Sequence, residues 1–142
     1  MATTIIPFKI IDIAGVGFHL MLKIYINRKV ANVVIDTGAS KTLFDKQRIS
    51  HFVLDNSFEK HNSYSTGLGT SKMRNELVTL KKLKIGDIVI PDYKTFILDL
   101  SHVNNSYAQI GIKHIDGVIG SDLLVEYKAI IDYEKKHLKL KY

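Results

Sequence analysis

Residues His19 to Ile26 read His-Leu-Met-Leu-Lys-Ile-Tyr-Ile, so Leu20, Leu22, Ile24 and Ile26 share one face of an extended chain. Asn27-Arg28-Lys29 is a turn signal, and Val30 to Ile35 resumes as a nearly all-apolar strand buried on both faces. The two segments specify a hairpin. Similar strand patterns recur at Phe8 to Ile13, Glu76 to Ile85, Ile88 to Ile90, Tyr93 to Leu100, Lys128 to Tyr133 and His137 to Leu140. Gly15-Val16-Gly17, Gly86-Asp87, Pro91-Asp92 and Glu134-Lys135-Lys136 supply turns between them. Lys41 to Ile49 is expected to hold a short helix, and Ser101 to Ala108 a polar loop. Ser121 or Asp122 is placed to cap a second short helix through about Tyr127. Many short strands with frequent turns predict an all-β barrel or sandwich with one or two short helices.

Composition narrows the function. A chain of 142 residues without linker, repeat or low-complexity tract is expected to form a single domain over 1–142. At that size roughly 70% of the unfolded surface can be buried, so a true core is possible. The absence of Cys excludes a disulfide scaffold, a Cys-ligated zinc module and a thiol nucleophile. The six His show no helical metalloprotease spacing, so no metal is expected, and no cofactor either. Gly15-Val16-Gly17 and Gly67-Leu68-Gly69-Thr70 lack the rest of a phosphate loop, and Gly120-Ser121 lacks a nucleophile elbow. No apolar run approaches the roughly 20 residues that span a bilayer, so no membrane partner is expected. The first residues carry neither a basic segment nor an apolar block, so no signal peptide is visible and a cytoplasmic location is expected. A leader removed earlier would leave no trace. The net charge of +6 permits attraction to nucleic acid. Yet Lys81, Lys82 and Lys84, like Lys135, Lys136, Lys139 and Lys141, alternate loosely with Leu or Ile, as on strands with one wet face. Aromatic residues do not interleave as a stacking platform requires, so no nucleic-acid partner is expected.

One segment stands apart: Val33-Val34-Ile35-Asp36-Thr37-Gly38-Ala39-Ser40. A carboxylate ends an apolar strand and is followed at once by Thr, Gly and two small residues. Asp36 can be an ordinary turn residue. It can equally be a carboxylate at the rim of a core with backbone N–H groups of a tight turn aimed at it, a placement that suits acid–base work.

Asp36-Thr37-Gly38-Ala39, preceded by its apolar strand, resembles the active-site motif of the retroviral, single-lobe aspartic proteases. Val118-Ile119-Gly120-Ser121-Asp122-Leu123-Leu124 is similar to that family's second element, two apolar residues and a Gly leading into a short helix. The polar stretch from about Tyr64 to Met73, with Gly67 and Gly69, lies where the family carries its flap. The resemblance covers roughly Pro7 to Tyr142. It implies a closed barrel of the acid-protease type and an aspartic endopeptidase. The retroviral enzymes end in a helix and a strand that knits the dimer, whereas Ala129 to Leu140 reads as a hairpin, closer to one lobe of a pepsin or to the single-lobe relatives found in cellular organisms.

The resemblance also assigns roles. Asp36, Thr37 and Gly38 would be catalytic, with Thr37 bonding across a two-fold axis and Gly38 letting backbone approach the carboxylate. Ala39, Gly67, Leu68 and Gly69 would bind substrate, the two glycines letting a flap bend over it. Val118, Ile119 and Gly120 would support the active-site loop. The mechanism needs two carboxylates in contact, one ionised to draw a proton from water and one protonated to polarise the scissile carbonyl. The sequence holds one Asp-Thr-Gly, so the partner must come from a second chain, and a homodimer acting on peptide or protein substrate is expected. Asp116 and Asp122 lack the following Thr; a turn role is expected for the first and a helix-cap or surface role for the second. A non-catalytic peptide- or protein-binding module on the same barrel is the alternative.

Overall fold

The computed structural model describes residues 1–54, 58–65 and 73–142, with backbone alone for 58–65 and 73–75. The strands are β1 (Thr3–Pro7), β2 (Lys9–Ile13), β3 (Gly17–Ile26), β4 (Lys29–Ile35), β5 (Leu43–Asp45) and β6 (Phe58–Ser65). They continue as β7 (Met73–Ile85), β8 (Ile88–Leu98), β9 (Gly117–Ile119), β10 (Ile130–Asp132) and β11 (His137–Lys141). Two α-helices stand among the described residues, α1 (Ser101–Gln109) and α2 (Ser121–Glu126).

The predicted hairpin forms, with Leu20 opposite Ile35 and Ile26 opposite Lys29. From β4 the sheet passes in parallel to β9, then to β5, in parallel again to β8, and on to β7. It closes where β7 returns to β3 at Tyr25–Lys84 and Ile26–Leu83. The result is a six-strand closed barrel, which removes the exposed edges an open sheet would present. The all-β closed-barrel expectation is met. β1, β11 and β10 form a separate three-stranded sheet whose Ile6, Leu138 and Leu140 join the main core. Ile24, Ile26, Leu80 and Leu83 are fully buried inside the barrel, each contributing about 1.5–3 kcal/mol of apolar transfer.

β4 is apolar on both faces because it serves two cores. Ala31 and Val33 point into the barrel, while Val34 joins Met21, Leu100, Tyr107, Ile115 and Val118 on its outside. Ala39 and Leu43 pack against this second cluster, so the chain just past Asp36 rests on it.

Three local expectations are corrected. Lys41 to Ile49 forms no α-helix: Leu43–Asp45 is a strand inserted between β9 and β8, with a 3-10 turn at Ile49–His51. Ser101 to Ala108 is helix, not loop. Its inward anchors are the buried Tyr107 and half-buried Val103, four residues apart on one face, which hold an otherwise polar segment against the second core. Asp99 receives the Ser101 N–H at 2.9 Å and the Ser101 hydroxyl, bonds that lower its carboxyl pKa. Pro91-Asp92 does not turn the chain, because β8 runs through it in constant register with β7 while Asp92 absorbs a positive φ of 48°. Pro91 lies where β7 alone pairs with the strand, an edge position that tolerates proline.

Candidate active site

β4 carries its pairing one residue beyond its end, since the Asp36 N–H donates to the Ile119 carbonyl at 2.9 Å. There the chain turns, and Ala39 N–H donates back to the Asp36 carbonyl at 3.1 Å. Inside this turn the Gly38 N–H donates to Asp36 Oδ1 at 2.9 Å. A Cβ on Gly38 would stand 3.3 Å from that same oxygen, tighter than ordinary van der Waals contact. Asp36, Thr37 and Gly38 are exposed and Ala39 is half-buried. Among the described residues, Asp36 Oδ2 and the Thr37 hydroxyl have no hydrogen-bond partner.

The second motif lies directly beneath. Val118 and Ile119 are buried in β9, and the Ser121 N–H donates to the Ala39 carbonyl at 2.7 Å. A Cβ on Gly120 would lie 2.6 Å from both the carbonyl carbon and oxygen of Lys41, and 2.8 Å from the Ala39 oxygen. Those neighbours are backbone and cannot swing aside. Gly120→Ala is therefore expected to cost about 3 kcal/mol of stability, read as a lower urea midpoint at unchanged slope.

A polar knot below the loop was not legible beforehand. Thr42, 1% exposed, donates its hydroxyl to Asp122 Oδ1 at 2.8 Å and accepts the Gly120 N–H at 3.0 Å. Its own N–H also reaches Asp122 Oδ1, at 2.9 Å, and its carbonyl accepts the Thr95 hydroxyl at 2.8 Å. Burial pushes the pKa of the neighbouring Tyr93 phenol up to about 12, with the Asp122 charge adding to the rise, so it stays protonated. Half-buried Asp122 does more than the expected cap or surface role, since its Oδ1 accepts the Leu123 N–H of α2 at 2.9 Å as well as the two Thr42 donors. Gly120 occupies the N-cap position of α2, and the Asp122 carboxylate ties that helix to the strand after the Asp36 loop. Thr42→Val would strand the buried Gly120 N–H and remove one acceptor–donor pair, with an expected loss of about 2–3 kcal/mol by chemical denaturation.

Asp116 is likewise no turn residue. It is 3% exposed; Oδ2 accepts the Asn32 N–H at 2.8 Å and Oδ1 the Arg48 Nε–H at 2.5 Å. His114 stands 4.0 Å from Oδ1, and burial, with the nearby Arg48 charge, lowers its pKa. Gly67, Leu68 and Gly69 lie outside the described residues. The strands on either side, β6 and β7, pair antiparallel, with Ser65 opposite Met73. Among the described residues no group of three or more His, Asp or Glu is placed to hold a metal ion.

The structure thus brings Asp36, Thr37, Gly38 and Ala39 together with Val118, Ile119 and Gly120 in one loop-on-strand unit. An aspartyl protease family model matches residues 22–123, a span that holds the first motif and the second as far as Leu123. No curated protein matches the chain. The solved structure of a retropepsin-like aspartic protease from Rickettsia conorii is similar with a TM-score of 0.59 and 23% identity, over 99% of this chain and 94% of that one. The retroviral protease-like domain of Ddi1 from Leishmania major is similar with a TM-score of 0.61 and 15% identity, over 86% of this chain and 87% of that one. At such identities these two structures show the shared barrel. With Asp36-Thr37-Gly38-Ala39 and Val118-Ile119-Gly120 inside the matched span and the retropepsin-like barrel around them, the chain belongs to the aspartyl protease family.

Proposed function

We propose that the chain is an aspartic endopeptidase that works as a homodimer, hydrolysing peptide bonds with a water activated between the Asp36 carboxylates of two copies. The observation that carries this is the Asp36 carboxylate itself. It ends a buried strand, has one oxygen held by the Gly38 N–H, and presents the other on the surface in a chain with a single Asp-Thr-Gly. Two such carboxylates brought together cannot both ionise. They share a proton and titrate as a unit, so one acts as base toward water while the other polarises the carbonyl. In that dimer the Thr37 hydroxyl, exposed in the single chain, would bond across the two-fold axis, and Gly38 keeps a side chain out of the carboxylate's space. The substrate is an extended peptide held by main-chain bonds, with alternate side chains in pockets.

The termini bear on how the copies meet. β1 pairs with β11 of its own chain from Thr3–Lys141 to Pro7–His137, and the Ala2 and Tyr142 backbones bond each other at 2.8 and 2.9 Å. The proposed dimer therefore rests on the Asp36-Thr37-Gly38 loops and the faces beside them rather than on exchanged terminal strands. Cleavage of a peptide mixture per mole of chain is expected to fall on dilution, with the same midpoint as the dimer–monomer transition in sedimentation. A folded monomer that cleaves at full rate would overturn the homodimer. A folded dimer that cleaves nothing would favour the binding-module reading.

A further inference from the structure

A second concave site lies at the far end of β4. Lys29 begins that strand and Asp36 follows its other end, about 20 Å away at the rise of an extended chain. The cavity encloses about 550 Å³ between the β3–β4 turn, the segment after the 3-10 turn, and β7. Arg28, Lys29, Lys81 and Lys82 line it together with Phe52 and Val53. A smaller recess of about 220 Å³ shares Arg28 and Lys82 and reaches Lys84 and Tyr25. Among the described residues no carboxylate lines either one, and Arg28, Lys81, Lys82 and Lys84 make no ion pair.

The walls are tied together. Asn27 exchanges backbone and side-chain bonds with Lys82, and its Nδ2 donates to the Phe52 carbonyl at 2.9 Å. Lys29 Nζ donates to the His51 carbonyl at 2.9 Å. The turn itself departs from local preference. Asn27 and Arg28 have φ of 48° and 70°, a two-residue hairpin turn in which the second place favours Gly. An Arg there is a local conflict of the kind that marks a site with another task, and it sets a guanidinium on the rim of the cavity.

We infer that this cleft binds an acidic peptide segment, one whose carboxylates meet Arg28, Lys81 and Lys82 while a neighbouring aliphatic side chain rests on the exposed Leu54. A nucleic acid fits less well. Phe52 is only 9% exposed and offers no ring face for base stacking, and the cavity is sized for a few side chains. In an endopeptidase such a cleft would hold substrate by a stretch remote from the scissile bond; that consequence rests on the protease reading, whereas the binding does not.

The test is fluorescence anisotropy with a labelled peptide of alternating Glu and Leu, on the full chain and on its Asp36→Asn variant, which keeps the probe intact. Both are expected to bind it equally, with affinity falling as salt rises. Arg28→Glu with Lys82→Glu is expected to weaken binding at least about ten-fold. Arg28→Gly suits the turn, so it is expected to fold with an equal or higher Tm and still lose affinity. No binding of the probe, equal binding by these variants, or tighter binding of a single-stranded oligonucleotide or an anionic vesicle than of the peptide would each overturn the inference. Loss of cleavage in Asp36→Asn with peptide binding intact separates the fate of this proposal from that of the active site.

Discussion

Asp36→Asn is expected to lower peptide cleavage by at least about 10³-fold while leaving the fold intact. Both halves follow from the geometry. Among the described residues the carboxylate makes one hydrogen bond, from the Gly38 N–H to Oδ1, and an amide oxygen in its place still accepts that bond. The residue is exposed, so the exchange buries no new polar atom, and Tm should move by no more than a degree or two. The chemistry fares differently. An amide can neither draw a proton from water at neutral pH nor share one with a neighbouring carboxylate. A homodimer of the variant loses both members of the pair at once. Mixing the two proteins sharpens the test. If each site needs two Asp36 carboxylates, activity at fixed total chain should follow the square of the wild-type fraction, because mixed dimers are dead. A linear dependence would mean that one Asp36 per site suffices. Cleavage by the pure variant at the wild-type rate, in a preparation free of contaminating protease, would remove Asp36 from the mechanism.

What could be read from the sequence was whatever a short segment states by itself. The alternation of Leu20, Leu22, Ile24 and Ile26 set the hairpin, because period-two burial needs no partner to be recognised. Asp36-Thr37-Gly38-Ala39 stood out because a charged group rarely closes a run as apolar as β4. The rest depended on contacts far apart in the chain. α1 looked like loop because only Val103 and Tyr107 turn inward, and the core they meet is built by Met21, Val34 and Val118. β5 has three residues, too few for any period; the gap between β9 and β8 makes it a strand. Thr42 and Asp122 gave no signal either, since a Thr and an Asp 80 positions apart become partners only when the parallel β4–β9 pair folds α2 back under the loop. Pro91-Asp92 misled for the opposite reason: strong turn chemistry was overridden by a long ladder on both sides of it.

Asp116 shows the same limit with the largest expected consequence for stability. Asp116-Gly117 reads as a turn, yet the residue ties β4 to β5 through its carboxylate and its backbone together. The Asn32 N–H of β4 donates to Oδ2, Arg48 beyond β5 donates to Oδ1, and its backbone pairs with Asn32 on one side and Asp45 on the other. Asp116→Ala would leave the Asn32 N–H buried without an acceptor and Arg48 without its partner. Losing one member of a buried pair costs about 3–5 kcal/mol. The Arg48 side chain is 30% exposed and can regain some water, which puts the expected loss at the lower end, about 3 kcal/mol. For a chain of this length that is a fall in Tm of about 10 °C. Asp116→Asn separates the two contributions, because the amide oxygen still accepts from Asn32 while the charge facing Arg48 is gone. Asn is expected to recover roughly half of the loss. Equal destabilisation by Ala and Asn would place the whole effect in the ion pair. Because β9 begins at the next residue and ends at Ile119, whose carbonyl receives the Asp36 N–H, the weakened joint lies three residues from the anchor of the Asp36 loop. Any cleavage should therefore fall in Asp116→Ala more steeply with temperature than in the parent, well before the whole barrel melts.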